Sequence, residues 1–318
     1  MNIKSFLKLV EIQTKVASVI PYLLGLTYTL YHFKSLNALN MIIMFLSMIL
    51  FDMAVTAINN YFDYKRAVKK QGYGYETHNS IVQNNLSEKT VVLTIIILVI
   101  ISAILGFYLV YLTNLFVLLL GAICFFIGII YSYGPMPISR TPFGEIFSGF
   151  TMGLGITFIV IYINVFDQNI ISLSYQNLRV MLEFDLFHIL GIILVSMPAV
   201  LCIANIMLGN NICDIEDDIE NKRHTLPIVV GKKPALILLE LLYYFSYISI
   251  IIAVVIKTLP IYSLLVLLTL IPVKKNINAF KLNPTKKDTF GAIVGCFVTI
   301  NVSLILSIVI GIVINALI

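Results

Sequence analysis

The stretch Asn210-Asn211-Ile212-Cys213-Asp214-Ile215-Glu216-Asp217-Asp218-Ile219-Glu220 places five carboxylates in seven positions, between two long apolar runs. On a helix, Asn210, Asp214, Asp217, Asp218 and Asn221 share one face, because residues three and four apart are neighbours. Such a face repels itself until a divalent cation sits against it. Magnesium suits it, since that ion takes a few carboxylates and completes its shell with water and phosphate oxygens. The competing explanation is a solvated loop whose acids balance Lys222 and Arg223.

A second polar cluster closes an earlier apolar run: Asn59-Asn60-Tyr61-Phe62-Asp63. It shares the pattern Asn-Asn-x-x-Asp with Asn210 to Asp214, which suggests two half-bundles of four helices facing each other across a pseudo-two-fold axis. The two clusters together supply Asp63, Asp214, Asp217 and Asp218 as candidate metal ligands for Mg2+ bridging the oxygens of a diphosphate. Asn59, Asn60, Asn210 and Asn211 are candidate substrate-binding amides. Lys65, Arg66, Lys222 and Arg223 are placed to meet the remaining phosphate charge, arginine in bidentate fashion; the alternative for each is orientation signalling alone, and that is the reading for Lys69 and Lys70.

Tyr131 and Tyr133, in the turn Tyr131-Ser132-Tyr133-Gly134-Pro135, offer electron-rich faces that stabilise a cation. They serve equally well as interfacial anchors. Glu145 is either a helix-start carboxylate favoured by the dipole or a polar group facing a cavity. His32, His78, His188 and His224 do not cluster. Cys124, Cys202, Cys213 and Cys296 lack metal or redox spacing and read chiefly as small packing residues.

The elements that must position these groups are transmembrane helices. The chain is 59% apolar and 12% charged, with a mean hydropathy of +0.99. Apolar runs near the length of a bilayer span recur without the alternation of a barrel strand. The expected fold is all-α: a polytopic bundle of about nine transmembrane helices, at 10–32, 38–62, 90–111, 114–131, 142–166, 187–209, 234–256, 258–273 and 288–317, forming two pseudo-repeated four-helix halves plus one. One domain over 1–318 accounts for the length. The N-terminus lacks a cleavage pattern, so no processing is expected. With that terminus inside, eighteen Lys and Arg fall on inner loops and three, Lys34, Arg179 and Lys257, outside; this bias predicts a multi-pass cell-membrane protein with both clusters on the cytoplasmic face. The outer segment 167–186 is expected to form a short interfacial helix. The charge of +5 belongs to this bias, and no nucleic-acid partner is inferred from it.

With these residues in hand, the chain resembles the UbiA superfamily of intramembrane aromatic prenyltransferases over all nine helices. It is most similar to the menaquinone-pathway branch that prenylates 1,4-dihydroxy-2-naphthoate. The second motif with Lys222-Arg223-His224-Thr225-Leu226 carries the resemblance, supported by the Tyr131 to Pro135 turn, by Gly144-Glu145 and, more weakly, by Pro21-Tyr22-Leu23-Leu24-Gly25. The first motif departs: Asn60 stands where the family has Asp, Ala67 and Lys69 replace later acid, and Asp63 is its remaining carboxylate. The basic-Pro pair of the first helix is replaced by Ile12 and Gln13, with Lys15 nearby.

The resemblance implies a Mg2+-dependent enzyme. A polyprenyl diphosphate lies with its tail among the helices, open to the lipid bilayer. Its C–O bond ionises with the diphosphate held by metal and basic side chains. The allylic cation, near Tyr131 and Tyr133, is attacked by an aromatic acid acceptor, and loss of CO2 gives demethylmenaquinone. Asp63, Asp214 and Asp218 would carry the metal. The alternatives are another acceptor (4-hydroxybenzoate-like, or haem), a non-catalytic binding relative, or a transporter built on repeats.

Overall fold

A computed structural model describes residues 1–67, 79–176 and 179–317; Lys69, Lys70 and His78 lie outside them. A short helix α1 (Ile3–Leu9) meets α2 (Ile12–Phe33) at a bend of 52°. The bend turns on Glu11, which adopts the left-handed conformation at φ 47°, uncommon for a residue with a Cβ. Asn60 holds the bend: its amide donates to the Leu9 carbonyl at 3.0 Å and to Glu11 Oε1 at 3.1 Å.

Next come α3 (Ala38–Arg66), a single turn α4 (Ser80–Gln83), α5 (Glu88–Leu112) and α6 (Leu115–Ser132). Asn37, Asn79, Ser87 and Asn114 each accept a bond from a backbone N–H of the helix that follows, which satisfies donors the helix cannot satisfy itself. α3 has 29 residues, about 43 Å at 1.5 Å per residue, against a hydrocarbon core of about 30 Å. Its last turns, with Asn59 and Asp63, therefore have length to spare beyond the hydrocarbon.

α7 (Gly144–Val165) and α8 (Leu186–Cys213) follow, with a hairpin between them. The expected interfacial helix at 167–186 is not formed. Instead β1 (Ile171–Gln176) pairs antiparallel with β2 (Arg179–Phe184), Ile171 opposite Phe184. The reason is legible afterwards: Ile-Ser-Leu-Ser-Tyr-Gln alternates with period two, the strand period rather than the helical one. Asp185 then caps α8, accepting from the N–H groups of Phe187 and His188.

After α8 come α9 (Ile215–Glu220), α10 (Leu226–Val230), α11 (Lys232–Val255), α12 (Ile261–Leu282) and α13 (Phe290–Leu317). Among the described residues eight helices are long and apolar enough to cross a membrane, nine when α1 and α2 count as one bent span. These agree with the nine expected segments.

Lipid tails are as apolar as leucine, so helices here associate through close packing and interhelical hydrogen bonds. α7 presses against α8 at Gly149 and Gly153; a Cβ on Gly153 would stand 2.5 Å from the Val200 nitrogen. α3 and α5 exchange serine bonds, Ser47 Oγ to the Ser102 carbonyl at 2.9 Å and Ser102 Oγ to the Ser47 carbonyl at 2.7 Å. Asn205 of α8 donates to the Leu239 carbonyl of α11 at 2.9 Å. The main core lies among α7, α8, α11 and α13, with α2, the first half of α3 and α12 packed into it. α5 and α6 are covered least: 17% of the most apolar stretch of each is buried, against 50% for α8.

Candidate active site

The two polar clusters end up on one cavity. It has a volume of about 1410 Å3 and runs along α3 from Met44 to Asp63, about 28 Å of helix. Its polar end collects Asn59 and Asp63 from α3, Asn210 from the last turn of α8, Asp214, Asp217, Asp218, Asn221 and Arg223 from the segment that follows, Arg140 from the α6–α7 connection and Lys286 from the α12–α13 connection. The rest of the wall is mainly apolar, with Met48, Phe51, Val55, Phe125, Met152 and Ile203 among its residues.

The acid-rich stretch is not one helix. α8 stops at Cys213, Asp214 caps it, and α9 begins at once. The Asp218 N–H donates to the Asp214 carbonyl at 2.7 Å and the Arg223 N–H to the Asp218 carbonyl at 2.8 Å. Lys222 turns the chain in the left-handed region, φ 54°. The predicted face survives the break, since Asn210, Asp214, Asp217, Asp218 and Asn221 all line the cavity.

Arg223 joins the two halves. Its Nη2 donates to Asp63 Oδ1 while its Nη1 stands 3.5 Å from Asp218 Oδ1. Burial works against the charge on this guanidinium, but Asp63 and Asp218 more than compensate, so its pKa is raised. Asp218 is buried and also accepts from the Thr225 hydroxyl at 3.1 Å. Burial pushes its carboxyl up to about 6; Arg223 opposes that rise and Asp214 adds to it. Lys286 Nζ contacts Asp214 Oδ2 at 2.6 Å. Burial and the nearby Arg223 lower the pKa of Arg140, whose Nη1 donates to the Asn221 carbonyl at 3.4 Å.

Five of the residues expected at the site stand off the cavity wall. Lys65 is half-exposed and contacts Glu88 Oε2 at 2.5 Å. Arg66 donates to the carbonyls of Ser132 and Gly134 and lies over the Phe62 ring, because α3 packs there against the end of α6. Tyr133 is 54% exposed and leans on Phe62; α6 has ended at Ser132, so its ring turns away. Asn211 is buried and donates to Glu145 Oε1 at 2.8 Å, which commits its amide to α7. Lys222 is exposed at the left-handed turn. Asn60 lines the cavity, with its amide committed to the α1–α2 bend. Tyr131 lines the wall, its hydroxyl 3.4 Å from Met207 Sδ. Glu145 faces Asn211 rather than the cavity, with Oε2 buried and unpartnered.

Sequence reasoning missed Lys286 and Arg140, which it counted as orientation charges only. It also missed a recess beside the first motif. There Lys15 Nζ contacts Asp52 Oδ1 and Thr56 Oγ1, each at 2.7 Å, and Ser18 Oγ donates to Asp52 Oδ2 at 2.7 Å. Ser18, Asp52 and Thr56 line the cavity. An acid eleven residues inside α3 from Asp63 was itself a signal, since intramembrane carboxylates are costly and commonly functional.

The donors at the polar end are hard oxygens, which suit magnesium. Among the described residues no three His, Cys, Asp or Glu side chains form a ready-made cage for a metal ion.

Known proteins agree with this architecture. Residues 18–290 match the family model described as the UbiA prenyltransferase family. A 1,4-dihydroxy-2-naphthoate octaprenyltransferase from Bacillus subtilis (strain 168) is 31% identical over 238 residues, covering 74% of this chain and 68% of that protein. A UbiA homolog from Archaeoglobus fulgidus, solved with GPP and Mg2+, superposes with a TM-score of 0.63 at 16% identity, covering 97% of this chain and 99% of that one. The apo structure of a UbiA homolog from Aeropyrum pernix K1 gives 0.64 at 17% identity, over 99% of both chains. The solved structures speak for the fold, and the family match with the Bacillus relative speaks for descent: this multi-pass, helical membrane chain belongs to the UbiA prenyltransferase family.

Proposed function

We propose that this chain, acting as one domain, transfers a polyprenyl group from polyprenyl diphosphate to 1,4-dihydroxy-2-naphthoate, with loss of CO2 and diphosphate. The product is demethylmenaquinone, formed as its quinol. The observation that carries the reading is the meeting of Asp63 with Asp214, Asp217 and Asp218 at the polar end of one long, otherwise mainly apolar cavity. The Bacillus relative, by its description, prenylates that naphthoate. The Archaeoglobus homolog binds a prenyl diphosphate with Mg2+.

Asp63, Asp214, Asp217 and Asp218 would hold Mg2+, which when bound neutralises diphosphate charge and makes that group a better leaving group. The protein's own part is electrostatic and steric. Arg223, Lys286 and Arg140 offer fixed positive charge to the departing diphosphate, in a site where such preorganised charge is worth more than in water. The Tyr131 ring lines the route of the C1 carbon and favours positive charge there. The apolar walls keep out water, which would otherwise capture the allylic cation. The recess of Ser18, Asp52 and Thr56 suits the hydroxyls of an aromatic acceptor. The ring carbon takes the cation, and decarboxylation restores the aromatic ring.

The test is direct. Purified protein with Mg2+, octaprenyl diphosphate and the naphthoate is expected to yield a mass matching the decarboxylated, prenylated product. Asp63→Asn, Asp214→Asn and Asp218→Asn should each lower the rate by about 100-fold or more, in the range of removing one electrostatic stabiliser. Wild-type rates in all three would overturn the metal assignment. A product formed instead from 4-hydroxybenzoate would reassign the acceptor.

A further inference from the structure

We infer that Lys286, carried to the site by the α12–α13 connection, makes the site select a divalent cation that comes with a diphosphate over the bare cation, by holding Asp214 until diphosphate oxygens take its charge. The inference rests on the prenyl-transfer reading above and concerns the form in which the site admits its ligand.

Three of the four carboxylates at the polar end have a cation of the chain against them. Asp63 and Asp218 share Arg223, and Lys286 Nζ stands 2.6 Å from Asp214 Oδ2. The two cations are held differently. The Arg223 side chain is 19% exposed and forked between carboxylates from both halves of the chain. The Lys286 side chain is 39% exposed, against an Asp214 side chain that is 13% exposed. The backbone that carries Lys286 is pinned. The Thr285 N–H donates to Thr289 Oγ1 at 3.1 Å, that hydroxyl donates to the Asn283 carbonyl at 2.6 Å, and the Phe290 N–H donates to the Thr285 carbonyl at 3.0 Å. The turn therefore fixes where the lysine stem starts, at the cavity wall that Lys286 shares with Phe290 and Gly291 of α13. What remains free to move is the stem itself.

A bare divalent cation reaches Asp214 only by displacing this ammonium. The ammonium is then left without its partner, beside a metal of the same sign, and both effects oppose binding. A diphosphate reverses the balance. Its oxygens accept from the ammonium as the carboxylate passes to the metal, so every charge keeps a partner of opposite sign. Metal and diphosphate thus help each other onto the site, and by linkage the help is equal in both directions. Lysine suits this exchange. A compact charge on a flexible stem changes partners easily, whereas the planar fork of Arg223, set between two carboxylates, holds still. Taking Lys286 away should therefore act with opposite signs on the two ligands: Asp214 opens to the bare metal, and the diphosphate loses a contact.

The experiment measures binding rather than turnover, on the full chain in detergent. Mn2+ alone is titrated through the loss of its free-ion paramagnetic resonance signal. Radiolabelled inorganic pyrophosphate is titrated by equilibrium dialysis at saturating Mn2+. Lys286→Met should tighten Mn2+ alone by about fivefold, the scale of a partly exposed ion pair, and weaken pyrophosphate by about tenfold, the scale of a charged hydrogen bond. Lys287→Met removes the neighbouring exposed charge and should move each by less than about twofold, since solvent and salt screen it. On an Asp214→Asn background Lys286→Met should no longer tighten Mn2+, because the carboxylate it would free is gone. Lys286→Gln, which keeps a polar group against Asp214, should shift both affinities in the same directions and serves if the methionine variant is not monodisperse. Unchanged or weaker binding of Mn2+ alone in the Lys286 variants overturns the inference, and so does equal tightening by Lys287→Met. A wild type that binds pyrophosphate with Mn2+ yet transfers no prenyl group would instead overturn the prenyl-transfer reading.

Discussion

Arg223 is the residue on which the site turns, because it touches carboxylates from both halves of the chain. Asp218 pays for its place beside it. Its folded pKa of about 6 lies above the ordinary 3.8, so the folded protein holds this proton more tightly than the unfolded chain does. Stability is thus lost as pH rises from about 4 to about 6, and the whole penalty, on the order of 3 kcal/mol, is present above that range. Asp218→Asn should therefore unfold at higher temperature than wild type at pH 7.5, with the difference vanishing below about pH 4, while transfer collapses. Thermal unfolding in detergent across that range checks it. The acids were legible in the sequence because five carboxylates in an apolar chain admit few explanations. Lys286 and Asp52 were not. Lys286 looks like any inner-loop lysine until the fold brings it to Asp214, and Asp52 lies alone in its run until Lys15 reaches across from α2.

At the scale of elements, apolar run length fixed eight long helices, since a chain in lipid must satisfy its own backbone and helices do so locally. Two features escaped. The break at Asp214 follows from a cap that short-range spacing does not reveal, and it preserves the acidic face by restarting the helix at once. The hairpin was readable from its alternation, but its position between two spans favoured a helical expectation. What holds the elements together is fit: α7 and α8 touch backbone to backbone at Gly153. Gly153→Leu should cost about 1–3 kcal/mol or more through overpacking, whereas Gly121→Ala, whose Cβ meets nothing, should leave the unfolding temperature unchanged. Equal losses from both would mean that this contact is not what joins α7 to α8.

For the whole molecule, the basic bias of the loops predicts that the polar end of the cavity faces the cytoplasm. α11 offers a test, with exposed Lys233 at one end and exposed Lys257 just past the other. A membrane-impermeant maleimide should label Lys257→Cys in intact cells, above the background of the four native cysteines, and Lys233→Cys only after permeabilisation. The reverse pattern would invert the protein. The length of α3 bears on the bilayer itself. A helix of about 43 Å in hydrocarbon of about 30 Å must tilt or project, so the height of Asp63 above the acyl chains is set partly by lipid. Thicker membranes would draw the first motif toward the headgroup boundary and thinner ones would lift it clear. Catalytic rate would then vary with acyl length even where every side chain stays the same.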